Sequence, residues 1–356
     1  MKVGILSFHH TSNYGATLQN YALWKTIDNL GFKAEVIDYQ PFVAMKNYYV
    51  RELLPSRPVL SNLAKILKMK QFRESRIQLS EGVYFSSEGL KRFKRCYDAV
   101  VVGSDQVWST DGWRGYDPSF FLDFIDGETT LKISYAASAG HTETLGAHRS
   151  NVQSLVRQFQ AISVRDANTA RVIKEECALD SIQVLDPTFL VGYGEFLGKA
   201  LAIDSPFLLI YKMGPMSSSE ESFILRLAGE RNLKIVSVGY HHRIAQYNLA
   251  GIGPEEWVRY YSQAAYVFTD SYHGSIFSII FHKPFNVFVC KTKAAKTGDL
   301  LNKLGLIERI FDGDKTNTSN IDYAPVQERL TRRVQASRDF LIRALSSRLA
   351  TAKSSG

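Results

Sequence analysis

The stretch Thr269–Ser278, TDSYHGSIFS, combines residues that can bind an anion with a residue that can move a proton. It follows the apolar run Ala264–Phe268, which is typical of a buried strand, and it leads into an apolar segment typical of a helix. The first turn of such a helix directs backbone N–H groups and the positive end of its dipole towards an anion. We therefore expect an anion to bind near Gly274, where the lack of a side chain allows close approach, with His273 as an acid or a base.

Similar turns, in which polar residues follow an apolar strand, recur earlier in the chain. The strand predicted over Ala99–Gly103 is followed by Ser104, Asp105 and Gln106, and another strand ends directly before Arg165. In a parallel sheet the carboxyl ends of the strands lie along one edge, where open α/β sheets bind their ligands. The sequence therefore predicts that these polar side chains converge at one edge of a sheet.

Strand and helix patterns alternate along most of the chain. Lys2–Phe8 is a predicted strand, Leu18–Leu30 a predicted helix and Phe32–Tyr39 a second predicted strand. This βαβ order indicates a Rossmann-like domain with a parallel sheet. Because the same alternation resumes from Phe207, we predict an α/β fold with two Rossmann-like domains and a crevice between them, which is a GT-B-like architecture.

The pattern also predicts domain limits. We expect an N-terminal domain over residues 1–192 on the acceptor side, a C-terminal domain over 207–324 on the donor side, and a C-terminal helix and tail over 325–356 that packs back across the domains. Residues 43–96 interrupt the first domain with an insertion rich in Lys and Arg, of which 60–77 can form a basic amphipathic helix. We interpret it as a solvated helical insertion, and the alternative is a contact with a membrane surface or a lipid diphosphate.

Composition limits the class of protein. The chain has 356 residues and a formal net charge of +8, which favours anionic partners such as phosphorylated small molecules, an anionic membrane surface or nucleic acid. Nucleic acid is disfavoured because no recognisable nucleic-acid-binding motif occurs. No apolar run is long enough to span a bilayer, and the N-terminus lacks the features of a signal peptide. Cys96, Cys177 and Cys290 are too few and too scattered for a disulfide framework or a zinc cluster, so we expect a cytoplasmic protein.

Five stretches, in order along the chain, resemble motifs of the polysaccharide pyruvyl transferase family: Ile5–Leu23, Val102–Trp108, Ser163–Asp166, Leu185–Thr188 and Ser271–Gly274. This resemblance implies a GT-B-like fold and the transfer of pyruvate from phosphoenolpyruvate onto two hydroxyls of a sugar, which forms a cyclic ketal and releases phosphate. It also implies that the acceptor belongs to a cell-surface polysaccharide, such as an exopolysaccharide or a capsule, or to its lipid-linked precursor. The enzyme would then work at the cytoplasmic face of the membrane.

The resemblance assigns the contacts with phosphoenolpyruvate to Arg165, His273 and Lys293. The lysine stands in the context CKTKAAK, before a helix that is predicted to begin at Thr297, and Lys291 or Lys296 are alternatives. An arginine suits a planar, bidentate grip on a carboxylate or a phosphate. The alternative for Arg165 is a structural ion pair with an acid of its own domain, and the alternative for His273 is a structural hydrogen bond.

The implied reaction also needs an acid, a base and a phosphate site. His273 is our expected acid and Asp105 our expected base for the sugar hydroxyl, although the two roles could be exchanged. Gly274 and Ser275 are expected to hold phosphate oxygens at the helix start, and the alternative for the serine is an N-cap. Asp186 is expected to fix a turn.

The acceptor contacts are expected from the first domain. Ser104 and Gln106 can form hydrogen bonds with sugar hydroxyls. Asn13, Tyr14 and Gly15 are predicted to form a turn that faces the crevice, with Tyr14 either stacked on a sugar or part of the core.

Other enzyme classes find little support. The adjacent pairs His9–His10 and His241–His242 point to opposite faces of an extended chain, so we expect no metal site, and we expect no cofactor besides phosphoenolpyruvate as co-substrate. Neither a P-loop nor a dinucleotide-binding glycine motif occurs, which disfavours a kinase or a dinucleotide enzyme. Two alternatives stay open: a GT-B glycosyltransferase that uses a nucleotide sugar, and a non-catalytic glycan-precursor-binding protein.

Overall fold

The computed structural model of the chain describes residues 1–46, 59–92, 96–112, 114–289 and 291–353, and it describes only the backbone of 291–295 and 348–353. Cys290 and parts of the predicted insertion 43–96 therefore lie outside the described residues. The chain divides into two compact units. Unit 1 comprises Met1–Arg51, Arg73–Val191 and Thr331–Gly356, and unit 2 comprises Glu52–Phe72 and Gly192–Leu330.

Unit 1 is built on a parallel sheet with the strand order β3-β2-β1-β4-β5-β6-β7. Its strands are β1 (Lys2–Leu6), β2 (Lys33–Tyr39), β3 (Leu79–Tyr84), β4 (Ala99–Val102), β5 (Leu131–Ala137), β6 (Ala161–Val164) and β7 (Ile182–Gln183). The order of the strands reverses between β1 and β4. In open α/β sheets ligands bind at such a switch point, so the turns that follow β1 and β4 are in the expected place for a site.

Unit 2 is built on a second parallel sheet with the order β10-β9-β8-β11-β12. Its strands are β8 (Phe207–Tyr211), β9 (Lys234–Val238), β10 (Tyr247–Leu249), β11 (Tyr266–Thr269) and β12 (Phe285–Val287). The switch point falls between β8 and β11, and the turn after β11 contains His273. The predicted α/β class with two parallel sheets is therefore confirmed.

Helices connect the strands in both units. They are α1 (Tyr14–Asn29), α2 (Val59–Arg76), α3 (Ser87–Lys91), α4 (Arg149–Val156), α5 (Ala167–Cys177), α6 (Ser218–Glu230), α7 (Pro254–Gln263), α8 (Tyr272–Ile280), α9 (Lys291–Leu304) and α10 (Tyr323–Lys353). Residues 42–46 are also helical. Within the part of the chain that the structure describes, no helix is both long enough and apolar enough to cross a membrane.

The predicted C-terminal helix, α10, contributes to both units. In unit 2 the hydroxyl of Tyr323 donates a hydrogen bond to the carbonyl oxygen of Lys283 (2.7 Å). In unit 1 the hydroxyl of Ser337 accepts one from the backbone N–H of Leu185 (3.0 Å). The helix therefore begins in unit 2 and ends in unit 1.

The described part of the predicted insertion differs from a solvated helix on the first domain. Helix α2 forms where the sequence predicted it, but its residues up to Phe72 belong to unit 2, where Lys68 Nζ lies 2.7 Å from Glu256 Oε2. Lys65 is fully buried, with its ammonium 5.1 Å from the ring centroid of Tyr240. These contacts explain the placement, because they join the helix to elements of unit 2. The end of the insertion contains β3, an edge strand that the sequence LSEGVY did not reveal.

Two helices begin earlier than predicted. Helix α1 begins at Tyr14 rather than Leu18 because Asn13 is its N-cap, with its side-chain oxygen accepting a hydrogen bond from Ala16 N (3.2 Å). Helix α9 begins at Lys291 rather than Thr297, which places the three candidate lysines inside a helix instead of before it.

Candidate active site

The turn that follows β4 has a strained backbone. Asp105 has a φ of 82°, and Ala136 on the adjacent strand β5 has a φ of 52°, a region that residues other than glycine rarely adopt. The segments that follow β4 and β5 are linked there, since Ser138 N donates to Asp105 O (3.0 Å) and Trp108 N donates to Ser138 O (3.1 Å). Such strain costs of order 1–3 kcal/mol per residue and clusters at functional sites, so it marks this edge as a candidate site.

Trp108 anchors the same turn in the core of unit 1. Its ring stacks on Phe121 with centroids 5.6 Å apart and an interplanar angle of 8°. Its indole N–H donates to the carbonyl oxygen of Phe120 (2.9 Å). The aromatic end of the motif VGSDQVW is therefore structural, and it fixes the polar residues before it.

Arg165 lies at the centre of a buried polar network. Its Nη1 donates to Asp186 Oδ2 (2.9 Å) and to Ser104 Oγ (3.4 Å), and its Nη2 lies 3.6 Å from Asp105 Oδ1. The Arg165 side chain is only 1% exposed. The structure thus brings Arg165 together with Ser104 and Asp105. The arginine forms the structural ion pair that was the alternative to a contact with phosphoenolpyruvate.

Two members of this network are themselves held in place. Asp186 is the N-cap of the short 3₁₀ helix Pro187–Leu190, and its Oδ1 accepts hydrogen bonds from Thr188 N (3.1 Å) and Thr188 Oγ1 (2.7 Å). Ser104 is fully buried and donates to Asp186 Oδ2 (3.1 Å), which favours a structural role over a contact with a ligand. Asp105 is less enclosed, with 19% of its side chain exposed.

A cavity of about 230 Å³ lies beside this turn, and all of its lining residues belong to unit 1. Gln106, the neighbour of Asp105, is the predicted acceptor residue that lines it. The aromatic rings of Phe8 and Phe120 form part of the wall, with centroids 4.9 Å apart. The cavity therefore offers an apolar surface next to an amide that can bind hydroxyls.

Charged residues that the sequence analysis did not single out line the same cavity. The Arg114 guanidinium lies 3.8 Å from the ring centroid of Phe8, and burial lowers its pKa to about 10, so it stays charged at neutral pH. Asp117 accepts a hydrogen bond from the hydroxyl of Tyr39 (2.8 Å), and burial raises the pKa of its carboxyl. No motif points to these residues, because they come from a loop that follows the recognisable VGSDQVW stretch.

The predicted N-terminal turn has a different structure. Tyr14 and Gly15 form the first turn of α1 rather than a loop, and the Tyr14 side chain is fully buried. Tyr14 is therefore part of the core, which is the second of the two roles considered for it. Asn13 uses its side chain to cap the helix.

The histidines that follow β1 are structural. His9 is buried, and its Nε2 lies 2.8 Å from Asp38 Oδ1. Although burial by itself would raise the pKa of Asp38, the hydrogen bond with His9 lowers it overall. Burial, followed by the charges of Arg73 and His9, lowers the pKa of His10 to about 3. Among the residues that the structure describes, no cluster of three His, Cys, Asp or Glu side chains is arranged to hold a metal ion.

In unit 2 the strand, polar turn and helix predicted around His273 are confirmed. Strand β11 ends at Thr269, and α8 begins at Tyr272 with Ser271 as its N-cap. Thr269 organises the turn, since its Oγ1 accepts a hydrogen bond from Ser271 N (3.0 Å) and donates one to Tyr211 O (2.7 Å). His273 is the second residue of the helix and is 7% exposed.

Packing explains the glycine and the serine of this turn. A Cβ atom at Gly274 would lie 2.1 Å from Thr269 Oγ1 and 2.8 Å from the Tyr261 hydroxyl, so the glycine allows α8 to pack on β11 rather than admitting a ligand. Ser275 is not an N-cap, because its N–H and its hydroxyl both donate to Ser271 O (3.0 and 3.2 Å). The positive end of the helix dipole therefore lies at residues 272–274, in the first turn of α8.

Lys212 is a buried cation at the same edge that the sequence analysis missed. Its Nζ lies 3.3 Å from Glu220 Oε1 and 5.1 Å from the ring centroid of Phe288. The adjacent loops are tied together by Asp270, which accepts a hydrogen bond from Met213 N (2.9 Å). A signal was present, since the lysine directly follows the apolar strand FLLIY at the switch point of the second sheet.

The candidate lysines lie in α9. Lys291 and Lys293 belong to its first turn, and their side chains lie outside the described residues. The Lys296 ammonium lies 5.8 Å from the ring centroid of Tyr272, the first residue of α8. Lys296 is therefore placed next to the helix start that contains His273.

Comparison with solved structures shows the class of fold. The chain is similar to the UDP-GlcNAc 2-epimerase of Neisseria meningitidis bound to UDP-GlcNAc, with 10% identity and a TM-score of 0.50 over 97% of this chain and 94% of that one. It is similar to the UDP-GlcNAc 2-epimerase of Methanocaldococcus jannaschii, with 12% identity and a TM-score of 0.51 over 94% of this chain and 92% of that one. It is also similar to MnaA of S. aureus in a structure with UDP, with 12% identity and a TM-score of 0.54 over 98% and 96%. At these identities the likeness shows the fold alone, which is the GT-B fold.

The family is shown by sequence. The model of the polysaccharide pyruvyl transferase family matches residues 13–292, more than three quarters of the chain. The protein therefore belongs to the polysaccharide pyruvyl transferase family, as its motifs predicted. No curated protein sequence gives a significant match.

Proposed function

We propose that this protein transfers pyruvate from phosphoenolpyruvate onto two hydroxyls of a sugar in a cell-surface polysaccharide or its lipid-linked precursor. Membership of the family supports a polysaccharide pyruvyl transferase in general, and the observation that carries the proposal is the family match over residues 13–292. In the reaction both hydroxyl oxygens bond to C2 of the donor and the C–O bond to phosphate breaks. One hydroxyl proton ends on the methylene carbon, which becomes a methyl group, and the other leaves with phosphate.

The edge of the second sheet supports binding of the donor there. The first turn of α8 presents the positive end of the helix dipole, and Lys296 lies beside it. Lys212, which is paired with Glu220 at 3.3 Å, adds a buried ammonium at the adjacent strand end. In this proposal these groups bind the phosphate, and His273 delivers a proton to the methylene carbon.

The edge of the first sheet supports activation of the acceptor. The partly exposed carboxylate of Asp105 can accept a proton from a sugar hydroxyl, and Gln106 N donates to its Oδ1 (2.9 Å). Arg165 holds this carboxylate at 3.6 Å while it is bound to Asp186. The contact of Arg165 with phosphoenolpyruvate that the family resemblance implies stays a prediction, as does the contact of Lys293.

The acceptor and the location are parts of the same proposal. A lipid-linked acceptor would bring the enzyme to the cytoplasmic face of the membrane as a peripheral protein. The exposed side chains of Leu60, Leu63 and Leu67 on one face of α2 support such a contact. In the proposed reaction phosphoenolpyruvate is a co-substrate, and no further cofactor is invoked.

An assay of turnover tests the proposed reaction. The protein is incubated with phosphoenolpyruvate and a panel of galactose-, glucose- and N-acetylmannosamine-containing acceptors, including lipid-linked forms. We expect one acceptor to gain the mass of a pyruvyl group with release of an equal amount of phosphate. Failure to turn over any acceptor of a broad panel would contradict the proposal.

Two other candidates are separated by simple measurements. A glycosyltransferase that uses a nucleotide sugar shares the fold, and it would be stabilised in a thermal-shift titration by UDP or GDP but not by phosphoenolpyruvate. A non-catalytic binding protein would show no transfer, and any measured activity that His273→Ala and Arg165→Ala leave intact would also favour this candidate.

A further inference from the structure

The cavity of unit 1 has the size and the lining of a site for one sugar ring. Resting on the proposed function, we propose that it binds the ring of the acceptor that receives pyruvate, with Asp111 and Gln106 holding its hydroxyls. The volume of about 230 Å³ exceeds the roughly 150 Å³ of a cavity that holds one benzene ring, so it can take a six-membered ring with substituents.

The walls match the two kinds of surface on a pyranose. Phe8, which has the Arg114 guanidinium over one face of its ring, and Phe120 contribute aromatic surface that can meet the C–H face of the sugar. Gln106 and Asp111 offer an amide and a carboxylate to its hydroxyls. Binding sites for small molecules commonly combine an apolar wall with a small number of placed polar groups.

The orientation of Asp111 suits a hydroxyl donor. Its Oδ1 accepts hydrogen bonds from the hydroxyl of Thr142 and from Ser109 Oγ (3.3 Å), and His141 Nε2 lies 4.0 Å from it. These contacts fix the carboxylate from one side, so a ligand hydroxyl can donate to Oδ2. Nearly half of the Asp111 side chain is exposed (47%), which makes it accessible.

The Gln106 side chain lines the cavity beside Gly140, in the loop that follows β5. Gly140 has a φ of 67°, and a Cβ atom there would lie 2.8 Å from Gln106 Nε2. The absence of a side chain at Gly140 therefore leaves room for the Gln106 amide. Gln106 directly follows Asp105, so a sugar ring that binds to the Gln106 amide contacts the residue next to the proposed base.

Charge argues that the occupant is the acceptor rather than phosphoenolpyruvate. The lining carries the carboxylates of Asp111 and Asp117 and the guanidinium of Arg114. A donor with a phosphate and a carboxylate would face two negative groups, whereas neutral hydroxyls can donate to both. We therefore expect neutral glycosides to bind and phosphoenolpyruvate not to compete with them.

Direct binding tests this inference without turnover. Methyl β-galactopyranoside, methyl β-glucopyranoside and N-acetylmannosamine are titrated into the full-length protein and followed by saturation-transfer NMR. We expect at least one to bind, Asp111→Asn to weaken it roughly tenfold or more, and phosphoenolpyruvate to leave it unchanged. Asp180→Asn is the matched control, since Asp180 is a 91% exposed acid of unit 1 that does not line the cavity.

A second variant, Val43→Trp, tests the cavity independently of Asp111→Asn. Val43 lines the cavity and is 59% exposed, so Val43→Trp fills the space without disturbing the core. We expect it to abolish glycoside binding while the melting temperature stays unchanged. The inference is wrong if no glycoside of the panel binds, or if both Asp111→Asn and Val43→Trp bind it like the unchanged protein.

The outcomes also separate this inference from the proposed function. Glycoside binding that Val43→Trp abolishes, without any pyruvyl transfer, would support the site and contradict the reaction. Pyruvyl transfer whose KM for the acceptor is the same in Asp111→Asn and Asp180→Asn would support the reaction and contradict the site.

Discussion

The carboxyl edges of the two sheets treat charge in different ways. In unit 1 the cation Arg165 is neutralised by Asp186, with Asp105 close by, and the neighbouring cavity carries two more carboxylates. In unit 2 the edge presents the start of α8 with Lys296 near it, and the second cation, Lys212, is paired with Glu220. Two parallel sheets of the same kind thus carry different charged groups at their carboxyl edges.

The difference indicates a division of labour. Carboxylates accept hydrogen bonds from hydroxyls, and amides can both accept and donate them. The edge of unit 1 therefore suits a sugar. A helix start with lysines suits a phosphate, so the edge of unit 2 suits the donor. Variants at both edges test this division.

Asp186→Ala would remove the carboxylate that neutralises Arg165. Because it leaves a guanidinium buried without its closest partner, we expect the free energy of unfolding to fall by about 3–5 kcal/mol. Urea unfolding of the variant measures this loss. Asp180→Ala removes an exposed acid and should change it by less than about 0.5 kcal/mol, and equal effects of the two changes would contradict a central role for the buried pair.

His273→Gln would remove the proposed acid from the edge of unit 2 while retaining a polar side chain. We expect kcat to fall about a hundredfold or more, with a smaller change in KM for phosphoenolpyruvate. His241→Gln, an exposed histidine of the same unit, is the control and should retain full activity. Steady-state rates of phosphate release check both, and a His273 variant with normal kcat would remove the histidine from the chemistry.

Gly274→Ala tests whether packing requires the glycine of the same turn. The added Cβ would meet Thr269 Oγ1 and the Tyr261 hydroxyl, so we expect a loss of roughly 1–3 kcal/mol of stability. Gly229→Ala in α6 has no heavy atom within 4 Å of its Cβ and should leave stability unchanged or raise it by up to about 1 kcal/mol. Thermal unfolding that shows the same sign for both would contradict the packing argument.

His10, at the turn after β1 in unit 1, gives an effect that depends on pH. Its pKa of about 3 in the folded protein is below the ordinary 6.5, so between these values the unfolded chain binds more protons than the folded one. Stability should therefore fall as the pH drops from 6.5 towards 3, and His10→Gln should make that fall shallower. Melting temperatures over this range check it, and parallel curves for the two proteins would contradict the assignment.

The sequence predicted best what neighbouring residues decide. The strand, turn and helix around His273 follow from an apolar run, a polar cluster and a second apolar run, all within about 20 residues. The start of α1 was missed because Asn13 was interpreted as part of a turn rather than as an N-cap. Lys212 was missed although it directly follows an apolar strand, because only the structure shows that this strand lies at the switch point of the second sheet.

Contacts between distant parts of the chain could not be predicted. Arg165 pairs with Asp186 rather than with its neighbour Asp166, a choice that depends on how the loops after β6 and β7 meet. The cavity combines Phe8, Gln106 and His141, which follow three different strands. Parallel topology predicts that such residues share an edge, but it does not predict which side chains face one space.

Hydrogen exchange in the presence of each ligand tests the central division most directly. Amide exchange is measured by mass spectrometry with phosphoenolpyruvate alone and then with the best-binding glycoside alone. The account predicts that phosphoenolpyruvate slows exchange in residues 270–276 and that the glycoside slows it in residues 106–115. Protection of 106–115 by phosphoenolpyruvate, with none at 270–276, would contradict it.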